Sequence, residues 1–175
     1  WRHEFDPHTG DLVRRTDPDG LWQSWEWDEQ RRLVATVDRA GGVTRLEYRA
    51  DHTVPFRVTG PDGSTATAEL DEWGHPLVIT DPDRVVTRLV WDRDGQLAGV
   101  IDGLGSTTTL EFDAAGLVVR LLDPAGATTE LTYDHAARLV RGATGNRVHE
   151  FRYTPGGRVA GGADPAEGTW SAVFG

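Results

Sequence analysis

The 175-residue sequence contains no cysteine and no methionine, and its basic residues include no lysine. Without cysteine, disulfide staples and thiolate metal sites are excluded, and sulfur chemistry gives no reading of the redox compartment. Methionine is missing at position 1 as well, so the chain is expected to be a processed or excised piece of a longer polypeptide. No apolar run approaches the roughly 18–20 residues that a membrane-spanning helix needs. All 18 basic residues are arginine, against 28 acidic ones, for a net charge of -10. That balance argues against a nucleic-acid footprint and against an anionic membrane surface as partner. Glycine (21), proline (9) and tryptophan (7) are plentiful. They suit many turns and aromatic packing rather than long helices.

A repeat organises what is there. An aromatic residue followed by aspartate recurs as Phe5-Asp6, Trp27-Asp28, Trp91-Asp92, Phe112-Asp113 and Tyr133-Asp134, with degenerate copies at Tyr48-Arg49, Leu70-Asp71 and Tyr153-Thr154. The units start near 5, 27, 48, 70, 91, 112, 133 and 153, at intervals of 20 to 22 residues. A glycine usually follows the aromatic, as at Gly10, Gly74, Gly95, Gly116 and Gly157. Then come an apolar pair, such as Leu12-Val13, Leu33-Val34, Val118-Val119 or Leu139-Val140, and an Asp-Pro step at 17, 81, 123 or 164.

These features read as a β-hairpin per unit. In Asp17-Pro18-Asp19-Gly20, proline presets the backbone of the first turn residue, aspartate accepts a backbone hydrogen bond, and glycine takes the left-handed conformation that follows. The runs on either side are strand-like. Thr129, Leu131 and Tyr133 alternate with Thr128, Glu130 and Thr132, and the same period of two recurs at Thr108, Leu110, Phe112 and at Thr44, Leu46, Tyr48. No 3.6-residue apolar stripe survives the glycines and prolines. An isolated hairpin is marginal in water, so each unit needs its neighbours. Eight of them predict roughly 16 strands at about 4.8 Å spacing.

The segments Trp91 to Gly105, Phe112 to Asp134 and Tyr133 to Gly142 resemble the tyrosine–aspartate repeat of the Rhs/YD family. The resemblance covers nearly the whole chain, in five good copies and three degraded ones. That family includes bacterial polymorphic toxins, C components of insecticidal toxin complexes and teneurins. The resemblance implies an all-β array of about eight stacked hairpins over residues 1–175, forming a curved or spiralling antiparallel sheet that is a segment of a hollow shell. It implies a structural role, enclosing a C-terminal toxin or effector, with further repeats of the parent chain and that toxin as partners. It also implies a secreted or cell-surface parent protein. The family's self-cleavage signature has no counterpart in these residues. Trp1 to Glu4 fits the second strand of a preceding hairpin, and the tail begins another unit at Asp164-Pro165, with Phe174 as a candidate next aromatic.

On this reading Phe5, Asp6, Trp27, Asp28, Tyr48, Asp71, Trp91, Asp92, Phe112, Asp113, Tyr133, Asp134 and Tyr153 are structural repeat positions. No catalytic residue, metal site or cofactor is expected. The Asp-x-Asp-Gly stretches ending at Gly20 and Gly95 lack the first acidic residue of a calcium loop, since Arg15 and Val90 stand there. The six histidines are irregularly spaced, and Ser24, Ser64, Ser106 and Ser171 lie in no nucleophile elbow. Trp22 and Trp73 fall off the repeat position and are the candidate contacts for a ligand or partner. They support an alternative role in carbohydrate or protein binding. Arg14, Arg57, Arg120 and Arg141 occupy equivalent places, and a charged row with Glu47, Glu111 and Glu130 is expected on one face.

Overall fold

The computed structural model describes residues 1–164, 166 and 168–172. Pro165 and Phe174, expected as parts of a further unit, lie outside the described residues. Backbone contacts divide the chain into two units, Trp1–Arg88 and Leu89–Gly175. The first holds β1 (Arg2–Phe5), β2 (Leu12–Thr16), β3 (Trp22–Trp27), β4 (Leu33–Val37), β5 (Val43–Glu47), β6 (Arg57–Thr59), β7 (Thr65–Leu70) and β8 (Pro76–Thr80). β9 (Val86–Trp91) begins in the first unit, where Val86 to Arg88 pair with β8. The second unit holds β10 (Leu97–Ile101), β11 (Thr107–Phe112), β12 (Val118–Leu122), β13 (Thr128–Tyr133), β14 (Leu139–Thr144), β15 (Arg147–Tyr153), β16 (Val159–Asp164) and β17 (Gly168–Ser171). Within each unit every strand pairs antiparallel with the next in sequence. The described residues contain no helix. The protein is an all-β array of stacked hairpins, as its period predicts.

One turn serves at both ends of the strands. At the Asp-Pro step, Gly20 N–H donates to the Asp17 carbonyl and Asp17 N–H donates to the Leu21 carbonyl. Asp17 Oδ1 accepts from the N–H of Asp19 and Leu21 at 3.0 and 2.9 Å. At the aromatic–aspartate step, Asp113 repeats the pattern with Gly116, Ala115 and Leu117. This is a three-residue hairpin loop whose last residue has positive φ, +84° at Gly20 and +78° at Gly116. The carboxylate caps two loop N–H groups that no strand reaches. A turn aspartate therefore recurs every 10 or 11 residues, at 17, 28, 38 and again at 71, 81, 92, 102, 113, 123 and 134.

Gly60 and Thr154 stand in the aspartate's place and keep the same three-residue loop, but elsewhere its loss changes the connection. Arg49 replaces it after Tyr48, and the loop lengthens until Phe56 N–H closes on the Glu47 carbonyl. After β14, Thr144 pairs directly with Arg147 around the two-residue loop Gly145-Asn146.

The aromatic end differs from the Asp-Pro end in register. Glu111 faces Arg120 but Phe112 faces Val118, leaving Val119 as an extra residue on the even-numbered strand. The same step leaves out Val13, Val34, Leu77, Val140 and Ala160. It is a β-bulge, and the apolar pair seen in the sequence marks it.

The sheet carries charge on one face and apolar groups on the other. Leu46, Val58 and Ala66 form a cross-strand row in the first unit, and Leu110, Leu121 and Thr129 form one in the second. Burial is shallow. Among the described residues Ala35, Leu70 and Ala143 are the buried apolar ones, and no large side chain is fully buried. A covered sheet would bury its Leu and Val rows; here they are only half-buried.

Candidate functional site

The repeat aromatics tie successive hairpins together. The Tyr48 hydroxyl donates to the Leu33 carbonyl at 2.8 Å, Tyr133 to Val118 at 2.8 Å and Tyr153 to Leu139 at 2.7 Å. Trp27 does the same through its indole N–H, to Leu12 at 3.0 Å. Each acceptor lies at the bulge, on the residue that faces the preceding aromatic: Leu12 faces Phe5, Leu33 faces Trp27, Val118 faces Phe112 and Leu139 faces Tyr133. A bulge disrupts the ladder locally, and the next aromatic supplies a donor there. Tyrosine and tryptophan offer an apolar body and a polar tip. Phe112 and Leu70 have the body only.

A second tie escaped the sequence reading. Four residues after the turn aspartate, Arg32 and Arg138 fold back, and their Nε atoms lie 2.7 and 2.8 Å from Oδ2 of Asp28 and Asp134. Each guanidinium lies over the next repeat aromatic, Tyr48 at 4.7 Å and Tyr153 at 4.8 Å. Each also donates onward to the next turn. Arg32 reaches the carbonyls of Arg49 and His52, and Arg138 reaches that of Thr154. His75 takes the same place, with Nδ1 3.0 Å from Asp71 Oδ2. The signal was an i, i+4 pairing with the repeat aspartate, visible as Asp28…Arg32, Asp71…His75 and Asp134…Arg138.

These contacts hold the turn carboxylates in their charged form. The Arg138 side chain, followed by the N–H groups of Arg138 and Ala136, draws the Asp134 pKa down to about 2. The N–H groups of Thr9 and His8 lower that of Asp6, and the Ser106 N–H lowers that of Asp102. The repeat aspartates are thus acceptors at their posts.

Between consecutive aromatic turns each unit has an open groove. In the second unit it encloses about 440 Å3, lined by Asp113, Leu117, Val119, Leu131, Tyr133 and Asp134 among others. Its counterpart in the first unit encloses about 560 Å3, lined by Asp6, Asp11, Val13, Trp25, Trp27 and Asp28 among others. A smaller apolar pit lies over Phe56, Val58, Ala68 and Ile79.

Of the two off-repeat tryptophans, Trp73 stands at the tip of the Asp71–His75 turn and is 74% exposed, tilted against His75. Trp22 is 38% exposed and has the Arg14 guanidinium over its ring at 4.5 Å. Arg14 therefore packs on an indole rather than serving a continuous row. Glu47–Arg57 and Glu111–Arg120 do form ion pairs, at 3.7 and 3.1 Å, and Glu130 faces Arg120 from the other side. All are exposed and contribute little. Among the described residues no three His, Asp or Glu side chains gather to hold a metal ion. His149 lies 2.8 Å from Asp164, in a hollow lined by Arg147 and Ala166. No helix among the described residues is long and apolar enough to cross a membrane.

The RHS Repeat family model matches residues 6–48 and 91–128. No curated protein matches the chain. Solved structures with the same fold include the TcdB2-TccC3-Cdc42 complex, at 18% identity over 89% of this chain with a TM-score of 0.65. TcdB2-TccC3 without its hypervariable C-terminal region gives 18% identity over 93% and a TM-score of 0.66. A Photorhabdus luminescens Tc holotoxin pore carrying a TccC3 variant gives 17% over 92% and 0.64. The chain spans 11% of the length of each of those chains. Two stretches of the chain thus match the RHS Repeat model, and the chain as a whole has the hairpin-array fold of those solved structures.

Proposed function

We propose that the chain is a stretch of enclosing wall from a longer RHS-repeat protein, one continuous repeat array whose job is to hold a C-terminal toxin or effector away from solvent. The observation that carries this is the repeated tie between neighbouring hairpins, at both the bulge carbonyl and the turn, around a sheet with no deep core of its own. Such a sheet gains stability by lateral continuation. Its half-exposed apolar face suits contact with something enclosed. The role is structural and non-enzymatic, and the parent protein is secreted or displayed at the cell surface. Electron microscopy of the parent chain tests this: a hollow particle holding its C-terminal region inside is expected, and a solid particle without a lumen refutes it.

The exposure of Trp73 favours a second reading, in which the turn edge contacts a glycan or a protein. Binding on a glycan array that is lost in Trp73→Ala supports it, and no signal above background removes it.

A further inference from the structure

The two homologous grooves are built on the same repeat positions yet differ in a way that wall-building does not require. Two residues before the repeat position, other hairpins carry Leu46, Leu89, Leu110, Leu131 or Phe151, or the smaller His3 and Ala68. The first groove has Trp25 there, on the same strand face as Trp27, so two indoles sit side by side about 7 Å apart along β3. Trp27 spends its N–H on the Leu12 carbonyl, whereas that of Trp25 has no acceptor among the described residues. Where the second groove has Leu117, the first has Asp11. Departures from a repeat template that add nothing to its packing mark function.

One carboxylate at the edge of the groove, Asp11, already pairs with a guanidinium from its own chain. Arg31, at a φ of +61° and with a side chain 61% exposed, reaches back to place its Nε 3.1 Å from Asp11 Oδ2. Two indole faces beside carboxylates suit a delocalised, weakly hydrated cation better than a neutral ring or a compact ammonium. Around the groove, Asp6, Asp11 and Asp28 outnumber Arg31 and Arg32, so an incoming cation meets net negative charge.

We propose that the groove lined by Val13, Trp25 and Trp27, and edged by Asp6 and Asp11, is a docking site for an arginine side chain presented by an extended segment of a partner polypeptide, with Arg31 competing for Asp11 from within the chain. The site stands apart from the enclosure reading, because binding can be measured whether or not the parent is hollow. The experiment titrates the whole chain with an acetylated Gly-Arg-Gly-Arg-Gly amide, its lysine counterpart and its citrulline counterpart, read by tryptophan fluorescence and calorimetry.

The arginine peptide is expected to saturate, the lysine peptide to bind more weakly and the uncharged citrulline peptide to lose about tenfold or more. Trp25→Leu, which installs the residue of the second groove, is expected to weaken binding on the order of tenfold. Arg31→Gly is expected to tighten it, since glycine suits the positive φ and the competitor is gone. Trp22→Ala, on the opposite face, is expected to change nothing, and far-ultraviolet dichroism verifies that each variant keeps its sheet. Equal binding of the citrulline peptide, an unchanged affinity in Trp25→Leu, weaker binding in Arg31→Gly, or saturation by cellohexaose but not by the arginine peptide would each overturn the proposal.

Discussion

Replacing Tyr133 by phenylalanine removes one hydroxyl and nothing else, which isolates the tie to the Val118 carbonyl. The ring keeps its half-buried contacts. The missing bond leaves a carbonyl beside the bulge that water can partly reach, so the loss is that of a single hydrogen bond, about 1 kcal/mol. For a chain of this size that is a fall in Tm of about 2–4 °C. Tyr48→Phe deletes the equivalent bond to Leu33 in the first unit, far along the chain, so the two losses should add.

The converse is the sharper test. Phe112 occupies the same repeat position without a donor, and the carbonyl it would meet, on Leu97, lies 15 residues back, as in the ties of Trp27, Tyr48 and Tyr133. Phe112→Tyr should therefore gain up to about 1 kcal/mol. Thermal and urea unfolding, followed by near-ultraviolet dichroism, would measure all three. If both Tyr→Phe variants melt with the wild type, or if Phe112→Tyr is destabilised as an overpacked core would be, the aromatics act by packing alone and the tie is not energetic.

Further outcomes follow from the turns. Ala137 holds a φ of +59° where most copies have glycine, so Ala137→Gly should stabilise by about 1 kcal/mol, and Gly126→Ala, at +84°, should destabilise by a similar amount in the same assay. The depressed carboxylate pKa values fix the sign of the acid response. Their contribution is complete above the ordinary aspartate range near 4 and is lost as pH falls, through about 2 for Asp134. Tm measured from pH 7 downward should hold until about pH 4 and then drop, and Arg138→Ala should shift the foot of that drop upward. Arg120→Ala, which removes an exposed pair with Glu111, should move Tm by less than 1 °C.

The period, the all-β class and the turn at Asp17 to Gly20 were legible because hairpin loops demand particular residues at fixed places. The half-period was less visible. Only some of the turn aspartates are followed by proline, and the partner turns are marked by an aromatic instead, so one physical device wears two sequence signatures. The apolar pairs such as Val118-Val119 were conspicuous, yet a bulge is a property of two strands in register and cannot be seen in one. Arg32 and Arg138 were hidden for a related reason. Their value lies in reaching the following hairpin, whose position no local pattern states. Alternation alone puts Trp25 on the face of Trp27, but the turn residues Asp6 and Asp11 come beside them only once the strands are paired.

The reach of the ties carries a consequence for biosynthesis. Each connects residues only 14 to 20 positions apart, from Leu139 to Tyr153 up to Asp11 to Arg31. Trp27, Arg31, Tyr48, Tyr133 and Tyr153 find their acceptors on the segment translated just before them, while Arg32 and Arg138 wait only for the turn that follows. Growth can proceed by accretion in the order of synthesis, each hairpin being completed by the next.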